Sequence, residues 1–158
     1  MAMESEYRNI YQNARRTAGL TQERWAEVLG IGPDAVRKYE SGIITPSDEV
    51  CLRMCEVAGQ WILAYWHLNQ KSRLAGTVLP ELTKRSLSEA VLNLLVRVEE
   101  FSRGGLEDLK RLASDGKIDS TEVMAFGDAL QELRELIAAA YELQYAEGAD
   151  CVTAAVKK

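Results

Sequence analysis

The sequence has little of the residues on which catalytic and metal sites are usually built. Its 158 residues include one histidine, His67, and three cysteines, Cys51, Cys55 and Cys151. A single histidine, with no serine or cysteine nucleophile in a recognisable setting, gives no catalytic triad. The chain also shows no pattern typical of a secretory signal, a transmembrane segment or a phosphate-binding glycine loop. We therefore expect a cytoplasmic protein without enzyme activity.

The cysteines and the histidine could formally make a zinc site, but their spacing argues against it. Cys51 and Cys55 lie one helical turn apart, whereas Cys151 and His67 are distant in sequence. A CxxxC pair on one helix is not the usual zinc knuckle, and cysteine is a common small buried residue. We expect buried or free thiols in a reducing compartment, with no metal and no cofactor.

The chain also lacks an excess of positive charge. Its formal net charge is −5, and residues 1–75 hold nine basic and nine acidic side chains while residues 76–158 hold ten and fifteen. Because non-specific affinity for nucleic acids comes largely from neutralised phosphates, a neutral domain would bind them weakly as a single copy, and dimerisation would offset that weakness.

Residues 15–49 predict two helices joined by a tight turn. Thr21 can cap a helix over residues 22–29, and Gly30 can end it. Pro33 suits the first turn of a second helix, over residues 33–41, because the N–H that it lacks would be unpaired there. Helical spacing then divides the second helix into an inward side, formed by Val36, Tyr39 and Ala35, and an outward side, formed by Asp34, Arg37, Lys38 and Ser41.

This stretch resembles the XRE-family helix-turn-helix transcriptional regulators, whose domains are lambda-repressor-like. The resemblance spans residues 7–68. It is carried by Arg15, Ala18-Gly-Leu-Thr-Gln22, Ala26, Leu29-Gly30, Val36, Tyr39-Glu-Ser-Gly42 and Pro46.

The resemblance implies DNA contacts position by position. Gln22 would contact a phosphate, and Ser41 with the loop to Thr45 would lie against the second phosphate strand. The resemblance also implies a structural ion pair between Arg15 and Glu40. The positions implied for base and backbone contacts are Gly32, Pro33, Asp34, Arg37 and Lys38.

The start of the second motif helix departs from the family pattern. Small polar or amide residues usually open such helices, but here the residues are Gly32, Pro33 and Asp34. Arg37 could make a bidentate contact with a guanine, and Asp34 could accept a hydrogen bond from a cytosine amine; either side chain could equally be solvated. We expect Pro33 to start the helix rather than to read a base.

The remaining pattern predicts an all-α fold. Residues 1–70 would form a five-helix lambda-repressor-like domain, followed by a connector at 71–80, a helical hairpin at 81–147 and a flexible tail at 148–158. Before the motif, Tyr7, Ile10, Tyr11 and Ala14 recur at helical spacing, and after it Val50, Met54 and Val57 continue the inward stripe. The aromatic run at 61–68 is expected in the core, with an interface as the alternative.

Two heptad-like rows of apolar residues run along the predicted hairpin. Rows of this length seldom find enough partner surface within one small appendage, so we expect them to pair with a second copy. The alternative is that they fold back on the first domain. Gly104 and Gly105 would end the first long helix, and Asp119 or Ser120 would cap the last one. The rows are Leu87, Val91, Leu94, Val98 and Phe101, and then Val123, Phe126, Leu130, Leu133, Ile137 and Ala140.

Residues 115–122 match the second half of a calcium-binding EF-hand loop, but the first half fails. Its opening ligand positions would be Arg111 and Ala113. An arginine in place of a coordinating carboxylate adds repulsion to Ca²⁺. We therefore expect a turn and a helix cap here rather than a calcium site.

Shorter patches, at residues 46–54, 61–68, 79–82, 88–92 and 115–118, are similar to small regulators of prophages and mobile elements of Gram-positive bacteria. The leading hypothesis is a homodimer that binds a short inverted-repeat operator of phage or mobile-element genes. The alternative is a protein-binding adaptor, antitoxin-like or an anti-regulator. It would use the helix-turn-helix fold or the acidic hairpin to hold a protein partner.

Overall fold

A computed structural model describes residues 9–112 and 116–149 of the chain. Its named secondary-structure elements are all α-helices, which confirms the predicted all-α fold. The chain divides into two compact units, with the boundary between Leu79 and Pro80. The helices of the first unit are α1 Ile10–Thr17, α2 Gln22–Leu29, α3 Pro33–Glu40, α4 Asp48–Ala58, α5 Ile62–Lys71 and α6 Ala75–Val78. Those of the second are α7 Leu87–Arg103, α8 Gly105–Leu112 and α9 Val123–Gln144.

Local capping explains the turn between α2 and α3. The Thr21 hydroxyl accepts a hydrogen bond from the Arg24 amide at 3.2 Å and so caps α2. Gly30 ends α2 with a φ of +65°, a left-handed conformation that strains any residue with a Cβ atom. Pro33 then occupies the first turn of α3. A turn of only three residues, Gly30, Ile31 and Gly32, thus joins the two short helices.

The core of the first unit lies between α1, α2, α3, α4 and α5. Trp25 and Leu29 of α2 are buried at its centre, together with Val36 of α3 and Met54 of α4. Replacing a fully buried tryptophan by alanine typically costs about 3–5 kcal/mol, so Trp25 is a principal stabilising contact. From the aromatic run, Ile62, Leu63 and Tyr65 are buried, and Trp61 and Trp66 pack partly on the core.

The prediction that Val57 points inward is wrong, because its side chain is 41% exposed. The buried side of α4 is formed by Val50, Cys51, Met54 and Cys55. Two cysteines therefore fill core positions one turn apart, and Val57 lies to one side of the stripe that they complete.

The segment around the unit boundary is partly helical. Within residues 71–80, which the sequence suggested as a connector, α6 forms a single turn and buries Ala75. This turn belongs to the first unit, which extends to Leu79.

In the second unit, α7 packs along α9. Ser86 starts α7 with a capping box, in which the Ser86 hydroxyl and the Glu89 carboxylate each bond the other residue's backbone N–H. Where the helices pack, the buried residues are small: Ala90, Ala129 and Ala139 are each at most 1% exposed. Alanine at these positions lets the two helix backbones approach closely.

The start of α9 differs from its prediction. The helix begins at Val123 and has no side-chain cap, rather than being capped by Asp119 or Ser120. The Asp119 carboxylate instead accepts hydrogen bonds from the amides of Thr121, at 2.7 Å, and Glu122, at 3.1 Å. These bonds close a separate turn, and the helix begins two or three residues later than predicted.

Several sequence-based expectations lie outside the described residues. They concern Tyr7, Ala113, Asp115, Cys151 and the tail from residue 150 onward.

A buried carboxylate holds the segment before α7 against α9. Glu142 of α9 is 5% exposed and accepts three hydrogen bonds: from the Thr83 amide at 2.8 Å, the Arg85 guanidinium at 2.6 Å and the Asn93 side chain at 2.9 Å. A buried charge is tolerated when it is paired and fully bonded, as here. Glu142 thus fixes how the chain enters α7.

We expect Glu142→Ala to lower the free energy of unfolding by about 2–3 kcal/mol, because it leaves Arg85 and the Thr83 amide without their acceptor. Urea unfolding followed by circular dichroism measures this change. Glu147→Ala is the matched control, since Glu147 forms an exposed ion pair with Lys84 at 2.7 Å and should change stability by less than about 1 kcal/mol. Equal losses in both variants would contradict the structural role of Glu142.

Candidate DNA interface and pairing surface

One side of α3 is exposed and polar. Val36 and Glu40 are buried beneath this helix, and Ala35 and Tyr39 are partly buried. The predicted contact residues at its start and along its outer side, Gly32, Pro33, Asp34, Arg37 and Lys38, are all exposed. The structure therefore presents these five positions together, four on α3 and Gly32 directly before it.

Two of these exposed residues pair with each other. The Arg37 guanidinium donates a hydrogen bond to the Asp34 carboxylate one turn earlier on α3. Both side chains remain largely exposed, at 54% for Arg37 and 81% for Asp34. The hydrogen bond and the charge of Arg37 lower the pKa of Asp34. The carboxylate therefore stays ionised, and the pair stands as a unit on the outer side of the helix.

The turn after α3 is closed on the carbonyl oxygen of Lys38. This oxygen accepts hydrogen bonds from the Ser41 hydroxyl at 3.2 Å and from the amides of Ile43 and Ile44 at 3.0 and 3.3 Å. Ser41 and Thr45 are exposed, as their implied place beside a phosphate strand requires. The Ser41 hydrogen is already used within the turn, however, so a phosphate would compete for it.

The structure gives Gln22 a partner within the protein. Its side-chain amide donates a hydrogen bond to Glu40 Oε2 at 2.9 Å, and the residue is only partly exposed. An amide nitrogen carries two hydrogens, so the second one is the group that could meet a phosphate. The sequence resemblance suggested the phosphate contact but not this link to Glu40.

Glu40 connects the first three helices through a buried network. Arg15 of α1 binds it with two parallel hydrogen bonds, Nε to Oε1 at 2.5 Å and a terminal nitrogen to Oε2 at 2.9 Å. The side chains of Arg15 and Glu40 are only 11% and 4% exposed. Gln12 adds a longer bond at 3.4 Å, and Gln22 contributes from α2. Arg15 also donates to the Leu20 carbonyl at 2.8 Å, which ties the loop before α2 to the same network.

This network keeps Glu40 ionised. Burial by itself would raise the pKa of Glu40. The hydrogen bonds from Arg15 and Gln22, together with the Arg15 charge, outweigh that effect and hold the pKa below the usual range of a glutamate. Sequence reasoning found Arg15 and Glu40 but missed Gln12 and Gln22, because an exposed-looking glutamine gives no signal of a buried acceptor.

The exposed charges of α2 and α3 balance each other. Arg24, Arg37 and Lys38 oppose Glu23, Glu27 and Asp34. Arg24 pairs with Glu27 at 2.5 Å and Arg37 pairs with Asp34. Within the described part of the chain, Lys38 forms no ion pair. It is therefore the cation of these helices with the least internal neutralisation.

His67 has a structural position. Its Nδ1 atom lies 2.8 Å from the Tyr11 hydroxyl and its Nε2 atom lies 3.0 Å from the Asp48 carboxylate, which also binds Lys71 at 2.5 Å. The histidine is 4% exposed. These contacts join α1, α4 and α5, and they use both ring nitrogens.

The buried thiols of α4 are poorly suited to react. A hydrogen bond with Cys55 and, to a lesser extent, burial raise the pKa of the Cys51 thiol. The thiol therefore stays protonated, whereas the reactive and metal-binding form is the thiolate. Within residues 9–112 and 116–149, no group of histidine, cysteine and acidic side chains is arranged to hold a metal ion. No helix in the same ranges is long and apolar enough to span a membrane.

Several residues of both predicted apolar rows are exposed on the second unit. On α7 the contacts with α9 come from a different side of the helix, where Asn93 binds Glu142 and Arg97 pairs with Glu135 at 2.6 Å. The exposed members of the rows are Leu87, Val91, Val98, Val123, Leu130 and Ile137, between 39% and 57% exposed. Leu94, Phe101, Phe126 and Leu133 are partly buried, while Ala140 is exposed. We call the six exposed residues the apolar rows.

A further apolar group on α7 was not predicted. Leu92, Leu95 and Val96 are 64%, 59% and 50% exposed, and their spacing of three and four residues places them on one side of the helix. These three residues do not belong to the heptad row of Leu87, Val91 and Val98, and sequence reasoning therefore missed them.

A protein-family model described as helix-turn-helix matches residues 12–59, from within α1 to the residue that ends α4. The match includes both motif helices and the turn between them. Searches of curated proteins and of solved structures gave no significant match.

Glu40 predicts a specific dependence of stability on pH. Its pKa is lower in the folded protein than in the unfolded chain, so the unfolded chain takes up the proton first as the pH falls. The stabilisation is complete above the unfolded value of about 4.3 and is lost as the pH drops through the folded value. We expect Glu40→Gln to be less stable than the wild type at pH 7 and the difference to shrink below about pH 4.

Urea unfolding at pH 7, 5 and 3 measures this difference. Glu27→Gln is the control, because its exposed pair with Arg24 should contribute little at any pH. A difference between the wild type and Glu40→Gln that stays constant from pH 7 to pH 3 would show that ionised Glu40 does not stabilise the fold.

Proposed function

We propose that this chain, whose residues 12–59 match a helix-turn-helix family model, is an XRE-family DNA-binding transcription regulator that acts as a homodimer on a short inverted-repeat operator. In this proposal α3 enters the major groove. Gln22, Ser41 and Thr45 flank it beside the phosphates. The outer side of α3, from Gly32 to Lys38, contacts the bases and the adjacent backbone.

The observation that carries the proposal is the exposed outer side of α3 on a rigid support. A recognition helix must present side chains to base edges while its other side is fixed to the domain. Here Val36 is buried in the core and Glu40 is bound by residues of α1 and α2. The position of Arg37 and Lys38 is therefore set by contacts on the opposite side of the same helix.

Charge supports the need for two copies. The balanced charges of α2 and α3 give one domain few phosphates to neutralise, so its background affinity for DNA is low. Two linked domains add their specific contacts and gain from the high effective concentration of the second domain once the first is bound.

The apolar rows support pairing through the second unit. Monomeric proteins rarely leave long contiguous apolar surfaces in water, and the rows repeat at positions such as Val123, Leu130 and Ile137, seven residues apart on α9. A two-fold dimer uses the same surface on both copies, and its symmetry is mirrored by an inverted repeat in the DNA. Successive half-sites would lie about 34 Å apart, one turn of B-DNA.

The proposed targets are genes of a prophage or mobile element. This part of the proposal depends on the similarity of the short sequence patches to regulators of such elements. Binding beside a promoter would then act by blocking or by recruiting the polymerase.

We expect the purified protein to select a short two-fold-symmetric site from fragments of its own genome at about 0.1 M salt. The Arg37→Ala, Lys38→Ala double variant should lose this selection, because it removes both cations from the outer side of α3. Sequencing of the bound fragments measures the enrichment.

Arg53→Ala, Arg73→Ala is the matched control for this selection. It removes the same charge from exposed positions outside α2 and α3 and should keep the site. No enrichment by the wild type over the double variant would reject the DNA-binding proposal. It would instead favour a protein-binding adaptor.

We expect Leu130→Glu, Ile137→Glu to convert the dimer to a monomer, because two buried carboxylates on each copy would lose their hydration without a partner. Sedimentation equilibrium over a range of protein concentrations measures the change. Met124→Glu, Gln131→Glu introduces the same charge at exposed positions of α9 outside the rows and should remain dimeric. A monomeric wild type, or equal dissociation of both variants, would contradict pairing through the apolar rows.

A further inference from the structure

The outer side of α3 offers few groups that can distinguish bases. Arg37 is the one side chain there with a planar, forked set of donors, which matches the O6 and N7 acceptors of guanine. Lys38 is a flexible point charge suited to a phosphate. Any base preference contributed by this helix therefore depends chiefly on how Arg37 is held.

The pairing of Arg37 with Asp34 restricts the guanidinium. A free arginine side chain samples many rotamers, and fixing it on DNA costs conformational entropy. The Asp34 carboxylate binds one terminal nitrogen of Arg37 and leaves its other donors available. Asp34 lies in the first turn of α3, where the positive end of the helix dipole stabilises an anion.

The helix dipole favours an acid in this turn, but the fold does not require that this acid pair with Arg37. The side chains of Asp34 and Arg37 are both exposed, and exposed ion pairs contribute little to stability. The Asp34 side chain does not cap α3 either, because the capping position is Gly32 and no side-chain hydrogen bond caps the helix. A negative charge at this place also repels the phosphates that the domain is proposed to approach.

The N-terminal end of α3 carries no side chain at residue 32. Gly32 has an extended conformation, with φ −75°, that any residue can adopt, and a Cβ atom built there would meet no atom within 4 Å. Neither backbone strain nor packing accounts for glycine at this position. With no side chain at residue 32, the pair formed by Asp34 and Arg37 is free to reach a base edge.

We propose that Asp34 is a positioning residue for specificity, which holds the Arg37 guanidinium in the orientation for a bidentate contact with guanine. This inference rests on the proposed function, since it concerns the same DNA-binding helix. Asp34 lowers affinity for DNA in general by charge repulsion and raises the discrimination between bases. The two effects have opposite signs, which separates this role from a purely structural one.

The experiment compares the full-length wild type with Asp34→Ala, Asp34→Asn and Arg37→Lys. Each protein selects sites from a library with randomised operator half-sites, and its affinity for unrelated DNA is measured at two salt concentrations. The wild type should prefer guanine at one position of each half-site by about tenfold or more. Arg37→Lys should lose this preference while its affinity for unrelated DNA stays similar, because the charge is kept.

For Asp34→Ala the inference predicts a guanine preference reduced to within about threefold, together with an increased affinity for unrelated DNA. Asp34→Asn should fall between this variant and the wild type, since an amide oxygen accepts a weaker hydrogen bond than a carboxylate. Glu27→Ala is the matched control. It removes an acid from the other exposed ion pair, with Arg24 on α2, and should increase the affinity for unrelated DNA without changing the guanine preference.

Unchanged guanine preference in Asp34→Ala would overturn this inference and leave the proposed function standing. A cytosine preference that disappears in Asp34→Ala but persists in Arg37→Lys would also overturn it, because Asp34 would then read the base itself. If the wild type selects no site at all, the proposed function fails and the inference fails with it. Equal thermal unfolding of all the variants checks that the folds are comparable.

Discussion

The ionised Glu40 side chain is the constraint on which the arrangement of the N-terminal helices depends. A carboxylate that is almost completely buried must be surrounded by donors, or its desolvation would destabilise the fold by several kcal/mol. Arg15 and Gln22 supply those donors from α1 and α2. Glu40 is the last residue of α3. Its hydrogen bonds with Arg15 and Gln22 therefore hold α3 against α1 and α2. The positions of the side chains on the outer side of α3 are therefore fixed by the same hydrogen bonds.

The two units bury their helices in different ways. The first unit fills its centre with large side chains such as Trp25, Leu29 and Met54, which interdigitate at high density. The second brings α7 and α9 together over alanines and a bonded carboxylate, Glu142. Small residues allow close approach but remove little apolar area from water. Much of the leucine, isoleucine and valine of the second unit consequently remains on its surface.

The sequence predicts the local elements of the first unit well because their signals are local. Thr21, Gly30 and Pro33 define the motif helices through capping and backbone conformation, which depend on few neighbours. The roles of Gln12 and Gln22 could not be predicted, since a glutamine that bonds a buried acid looks the same in sequence as one in water. The partner of both glutamines, Glu40, lies on another helix and far along the chain.

The orientation of α7 shows a second limit of sequence reading. Its strongest apolar periodicity runs through Leu87, Val91 and Val98, which we expect to pair with a second copy, while the helix contacts α9 through Ala90 and Asn93. Hydrophobic periodicity locates the most apolar side of a helix but not the partner that covers it. Where such rows face outward, the packing within one chain does not account for the heptad pattern.

Pairing through the exposed leucines and valines of the second unit would also make the stability of the chain depend on its concentration. If a second copy covers them, association adds to the stability of each chain by mass action, and that contribution grows with protein concentration. A scarce regulator would then be both less stable and mostly monomeric, and occupancy of a two-fold site would rise more steeply than in proportion to concentration. The threshold at which target genes respond would be set by the surface of α7 and α9, while the choice of genes would be set by α3.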